Sequence, residues 1–199
     1  RNPLAIDFGY GSHFSKDQLP TLEENCSYKR FYYRISPRIR INDKLSFSYV
    51  WSNEYKIDDI GFSEILEDDK GNENNLILFG KRNITMFTNV LEGSYIINNK
   101  MWFSLKLRHY WSKLTNKKLY HLNNDGYLNY STYQDLETYN INYNTWNIDM
   151  IYTYRFAPGS EMNIMWQNSI YSQTNSPIDG FINNLEETLQ SPQENALSL

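Results

Sequence analysis

The chain has 199 residues, a net charge of −4, 16% aromatic residues and 17 tyrosines, yet its mean hydropathy is −0.66. That apolar and aromatic content excludes a disordered chain, and no run approaches the roughly 18 apolar residues of a spanning helix. The mild acidity argues against a nucleic-acid-binding domain, which needs a basic face.

The order of residues supplies the structure: the dominant signal has period two. Leu4, Ile6, Phe8 and Tyr10 alternate with small or polar residues. Tyr33, Ile35, Ile39 and Ile41 alternate with Arg34, Ser36, Arg38 and Arg40. Leu45, Phe47, Tyr49 and Trp51 alternate with serines, interrupted by Val50. Between Arg82 and Ile97 the apolar positions change phase, from Ile84, Met86 and Val90 to Tyr95 and Ile97, which predicts a strand with a bulge near Gly93. Met101, Phe103, Leu105, Leu107 and Trp111 share a face with His109, opposite Ser104, Lys106, Arg108 and Tyr110. Trp146, Ile148, Met150, Tyr152, Tyr154 and Phe156 alternate with Asn147, Asp149, Thr153 and Arg155, and Ile164, Trp166 and Ile170 follow the same rule. Alternation over such lengths reads as β-strand with one apolar and one polar face.

The connections alternate too. Asn42-Asp43, Asn98-Asn99 and Pro158-Gly159 are tight turns. Longer polar connections are expected near 13–27, 56–78, 113–142 and 172–194, with a hairpin around Asn124-Asp125-Gly126 and some helical character over 181–190. The prediction is one all-β domain over 1–199. It is an antiparallel up-and-down meander of about eight strands, with its short turns at one end.

The strands run to about 10–14 residues, and a strand tilted near 45° needs about 9–11 to cross a bilayer. The bulky face is apolar and the opposite face carries Arg, Lys, Asp and Ser. A soluble barrel binding an apolar ligand would place the apolar face inside; an outer-membrane barrel places it against lipid, around a polar lumen. Three features favour the second. Aromatics at strand ends (Tyr10, Tyr49, Trp51, Trp111, Tyr154, Phe156) form candidate interface girdles. Short turns at one end and long loops at the other match the two sides of such barrels. A closed meander pairs every backbone donor, as lipid demands. The first residues lack a charged-then-apolar leader pattern, and both ends fall on strand-like alternation, so the expectation is part of a larger barrel.

On the polar face lies a candidate charge ladder: Arg34, Arg38, Arg40, Lys106, Arg108, Asp149 and Arg155. The plainest expectation is pairing with lumen carboxylates such as Asp7 and Asp149; a cationic lumen selecting anionic solutes is the alternative. His109 is expected near the membrane interface and His121 in a loop. Loop 56–78, with Asp58-Asp59 and Asp68-Asp69, lacks calcium-loop spacing and reads as a solvated acidic loop. Cys26 is the one cysteine, so no internal disulfide exists. No G-x-S-x-G, phosphate loop or H-E-x-x-H occurs, so no catalytic, metal or cofactor site is predicted.

Several phrases carry a resemblance: Gly80-Lys81-Arg82-Asn83, Asn89-Val90-Leu91, Arg108-His109-Tyr110-Trp111-Ser112, Phe156-Ala157-Pro158-Gly159-Ser160-Glu161 and Asn195-Ala196-Leu197-Ser198-Leu199. Over residues 28–199 the chain resembles the C-terminal part of a Bacteroidota-type outer-membrane family. In that family a carbohydrate-binding family-nine-like domain precedes a barrel domain of unknown function. The resemblance implies location in the bacterial outer membrane, contact with its lipid and with other outer-membrane proteins, and a glycan-derived ligand through a module outside this chain. The function expected is binding or passing a polar ligand; a structural or accessory subunit of a larger complex is the rival. The family offers no catalytic residue to carry over.

Overall fold

The structure is a computed structural model, and it describes residues 3–16, 27–66, 76–132 and 135–199. Cys26, Tyr133 and the acidic cluster from Glu67 to Glu73 fall outside the described residues. The strands are β1 (Leu4–Lys16), β2 (Ser27–Arg40), β3 (Leu45–Leu66), β4 (Leu76–Asn98), β5 (Met101–Leu122), the short β6 (Leu128–Tyr130), β7 (Ile141–Ala157), β8 (Ser160–Thr174) and β9 (Gln193–Ser198). A short 3-10 turn (Glu137–Tyr139) precedes β7, and the α-helix α1 (Phe181–Gln190) joins β8 to β9. All belong to one antiparallel sheet in the order β1-β2-β3-β4-β5-β7-β8-β9, with β6 beside β5. The sheet does not close: β1 and β9 are its edges among the described residues.

Local chemistry sets the hairpins. The Asn42 side-chain oxygen accepts from the amides of Lys44 and Leu45, and that of Asn98 accepts from Lys100 and Met101. Each Asn mimics a backbone turn. Gly159 takes a φ of 79°, which a side chain disfavours.

Two expected loops shrink because the strands are longer than the alternation suggests. β3 continues to Leu66 through a bulge between Lys56 and Asp59, where Asp58 adopts a φ of 58°. The bulge breaks the period, so the pattern reads as ended where the strand only kinks. Asp58 and Asp59 are therefore strand residues rather than parts of a solvated loop. Asp58 pairs with Lys117 at 2.8 Å and Asp59 with Arg82 at 3.1 Å. β5 likewise runs to Leu122, so His121 lies on a strand paired with Leu78. Beyond it, Leu122 pairs with Leu128 and Tyr120 with Tyr130, forming the hairpin around Asn124-Asp125-Gly126. Leu78, Leu119, Tyr120 and Leu128 are nearly fully buried there.

The phase change near Gly93 has a different cause from the one expected. Pairing of β4 with β5 is unbroken from Arg82 to Ile96, and the irregularities fall at Lys81/Arg82 and Ile96/Asn98. Gly93 occupies an apolar-face position without a side chain. A Cβ there would meet the Phe47 ring at 3.1 and 3.2 Å. The phase changes because apolar residues occupy both faces of β4: Ile84, Met86 and Val90 share the face of Glu92, while Leu91, Gly93 and Tyr95 share the other.

The register then assigns faces across the whole sheet. One row of the apolar face reads Leu4, Ile39, Phe47, Gly93, Leu105, Met150, Trp166, Leu197. Many of the exposed large apolar side chains lie on this face of β1 to β3, Phe8, Tyr10, Tyr33, Ile35 and Ile39 among them, with Phe8 76% exposed. Among the described residues, no helix is long and apolar enough to cross a membrane.

Candidate functional site

The matching row of the polar face reads Ala5, Arg38, Ser48, Glu92, Lys106, Asp149, Gln167, Ala196, one residue from each of eight strands. The next row toward the short turns adds Arg40, Ser46, Ser94, Ser104, Ile151 and Met165. These two rows line a cavity of about 760 Å³ reaching from Pro3 and Ala5 beside β1 to Gln167 on β8. Seven strands at about 4.8 Å spacing would lie some 29 Å apart edge to edge if flat. One cavity can touch both ends only because the sheet curls, with the charged face concave.

Charge on that wall is matched pair by pair. Arg38 meets Asp7 at 3.0 Å, Arg40 meets Asp43 at 2.9 Å and Lys106 meets Glu92 at 2.8 Å. Arg108 pairs with Asp149, whose second oxygen accepts from Gln167 at 3.0 Å. Glu92 also accepts from the Ser48 hydroxyl at 3.3 Å. Apart from Arg40–Asp43, a local contact with the β2–β3 turn, antiparallel pairing places these partners directly opposite or diagonally across neighbouring strands, so those pairs follow from register. Of the predicted ladder, Arg38, Arg40, Lys106 and Asp149 line the cavity. Arg34, bonded to Ser36, and Arg108 lie on the same face nearer the long loops. Arg155 sits by the Pro158-Gly159 turn, where it pairs with Glu161 at 2.8 Å and lies over the Trp102 ring.

Sequence reasoning missed Glu92 and Ser94 as wall residues; it placed Ser46, Ser48 and Ser104 on the polar face without naming them in the ladder. The signal was present: Leu91, Tyr95 and Ile97 share one phase of the alternation, which puts Glu92 and Ser94 on the opposite face. Among the described residues, no group of three or more His, Cys, Asp or Glu side chains could hold a metal ion.

The interface aromatics divide. Tyr10 packs at a tilt against Tyr33 and stays exposed, and Tyr154 and Phe156 meet near a short turn. Tyr49 donates its hydroxyl to Asn89 at 2.6 Å, and Trp51 is half-buried on the same apolar face. Trp111 lies under protein. It is 4% exposed, stacked on Phe87 with centroids 5.0 Å apart and covered by Phe181 of α1. His109, expected among headgroups, is buried under the same ring. Both burials share a cause: α1, some seventy residues later in the chain, returns over β5.

A family model matches residues 5–199. The chain belongs to the family described as a domain of unknown function, DUF5916. No curated protein and no solved structure matches it. For this DUF5916 domain, geometry must therefore carry the functional reading.

Proposed function

We propose that this DUF5916 domain is part of an outer-membrane β-barrel, in the bacterial outer membrane, whose concave polar face lines a passage or binding trough for a polar solute. One observation carries the reading: the cavity lies on the ion-paired face, while the opposite face exposes contiguous large apolar side chains. Soluble monomers rarely expose apolar patches beyond a few hundred Å², and a polar interior inside an apolar exterior is the outer-membrane arrangement. The charged side chains that line the cavity, Arg38, Arg40, Lys106, Glu92 and Asp149, favour a polar solute over an apolar ligand held inside a soluble barrel.

The wall also suggests the solute class. Each cation lining the cavity has a carboxylate partner, and serine hydroxyls fill the row beside them. A neutral wall rich in hydroxyls and ion pairs suits an uncharged polyhydroxylated solute better than an anion. This agrees with the glycan-derived ligand implied by the resemblance to Bacteroidota-type proteins that carry a carbohydrate-binding module. The unpaired edges of β1 and β9 favour a second reading, in which the sheet is completed by further strands of an accessory or larger outer-membrane assembly.

Single cysteines in a Cys26→Ser background of the full-length protein test the facing. At Ser48 and Ser104, a water-soluble, charged maleimide should label the membrane-embedded protein; at Phe47 and Leu105 it should not, while a lipid-soluble reagent should. Equal aqueous labelling at all four positions, or a protein that stays in solution without detergent, overturns the proposal.

A further inference from the structure

Helix α1 is amphipathic in an unusual direction. Its buried side is polar. Asn184 is fully buried and exchanges side-chain hydrogen bonds with Asn142 and Asn144, and Thr188 is 1% exposed. Phe181 completes the contact, packing against Phe87, His109 and Trp111. The helix thus crosses the apolar face of the sheet from β4 and β5 over β7 toward β8, where Asn168 holds Gln193 of β9 at 2.8 Å. Its apolar residues are elsewhere: Ile182 is 62% and Leu189 44% exposed.

At 100° per residue, Asn184 and Thr188 point to the sheet, Leu185, Leu189 and Ile182 form one flank, and Asn183, Glu186, Glu187 and Gln190 form the other. The contacts orient these flanks. Asn184 reaches Asn142 and Asn144, toward the long loops, whereas Phe181 reaches His109, toward the short turns. Turning from Asn184 through Phe181 continues to Leu185, Leu189 and Ile182, so the apolar flank faces the short-turn side. There the apolar face continues without polar interruption on β5 and β7: Leu107 beside Ile148, Leu105 beside Met150, Phe103 beside Tyr152. On the other side the rows turn polar, with Lys113 beside Asn142 and the Lys113–Asp179 ion pair at the helix entrance.

Distance agrees. Met101 to His109 is eight residue steps along β5; at about 3.3 Å each and a tilt near 45° this rises roughly 19 Å, near the upper edge of an apolar band about 25 Å tall.

From these placements we infer that α1 is an interfacial helix of the lipid surface. It seals the polar Asn/His cluster of the outer face from hydrocarbon and lays Ile182, Leu185 and Leu189 into the acyl chains at the long-loop side of the membrane. Glu186, Glu187 and Gln190 stay among headgroups and water. An amphipathic helix in this position has a low mean hydropathy with a sharply one-sided apolar flank, as α1 does. The inference rests on the membrane-barrel reading above.

Spin labels on single cysteines in the Cys26→Ser full-length protein, reconstituted in phosphatidylcholine vesicles, separate the outcomes. Labels at 182 and 189 should collide with oxygen far more than with a water-soluble nickel chelate, and labels at 186 and 190 should show the reverse. Position 105 on the sheet is the control. If 105 reports lipid but 182 and 189 report water, or are shielded from both probes, the helix inference is overturned and the barrel reading stands. If 105 also reports water, the barrel reading fails, and the helix inference falls with it.

Discussion

Replacing Asn184 with alanine isolates what holds α1 to the sheet. Its side-chain oxygen accepts from Asn142 Nδ2 at 3.0 Å and Asn144 Nδ2 at 3.1 Å, and its Nδ2 donates to Asn144 Oδ1 at 2.7 Å. Asn142 and Asn144 are 2% and 1% exposed, so water does not replace the lost partner. Three buried polar atoms are left without these bonds, at about 1 kcal/mol each by the lower end of the usual range. Alanine's better helix propensity returns about 0.5 kcal/mol. The net cost is about 2.5 kcal/mol, and it falls on docking of α1 because the sheet strands keep their ladder bonds. Amide hydrogen exchange over 181–190 in the detergent-solubilised protein should then speed up roughly 60-fold at about 1.4 kcal/mol per decade, while exchange in β5 and β7 changes little. The exposed Gln190→Ala variant should leave it unchanged. An Asn184→Ala effect no larger than that of Gln190→Ala would refute the account of a helix held by buried amides.

Two further outcomes test the wall and the helix entrance. Glu92→Gln removes the carboxylate beside Lys106 and leaves a bare cation on the cavity wall; in planar bilayers holding the full-length protein, the reversal potential under a salt gradient should move toward the anion value, and an unmoved potential would argue against this row lining the conducting path. Lys113, by its hydrogen bond first and its charge second, holds the Asp179 carboxyl below the ordinary carboxylate range. A lowered folded value means that the pair stabilises above the unfolded carboxylate's pKa and loses that contribution as pH falls through the lowered one. Lys113→Met should return the Asp179 titration, followed by carboxyl carbon shifts, upward to the ordinary range.

Much of the sheet was legible because strand alternation is a local property. The side-chain period of two places Arg38, Lys106 and Asp149 on one face and Ile39, Leu105 and Met150 on the other whatever the strands pair with. The turns were legible for the same reason, since Asn42 and Asn98 act on amides two and three residues away. Where the sequence misled, a local irregularity stood in for a boundary: the Asp58 bulge read as a loop, and Gly93 read as a bulge. Of the cavity wall, the ladder residues Arg38, Arg40, Lys106 and Asp149 and the serines of β3 and β5 were legible. Glu92 and Ser94 were not, because a facing error of one residue moves a side chain to the other side of the sheet.

What the sequence by itself determined is therefore which residues travel together on a face. Which face is concave, which carboxylate meets which cation, and what covers His109 and Trp111 were decided by the tertiary structure alone. Curl, register and the return of α1 over β5 depend on contacts between segments tens of residues apart. No window along the chain contains both partners of such a contact, and the alternating pattern is satisfied equally well by either direction of curl.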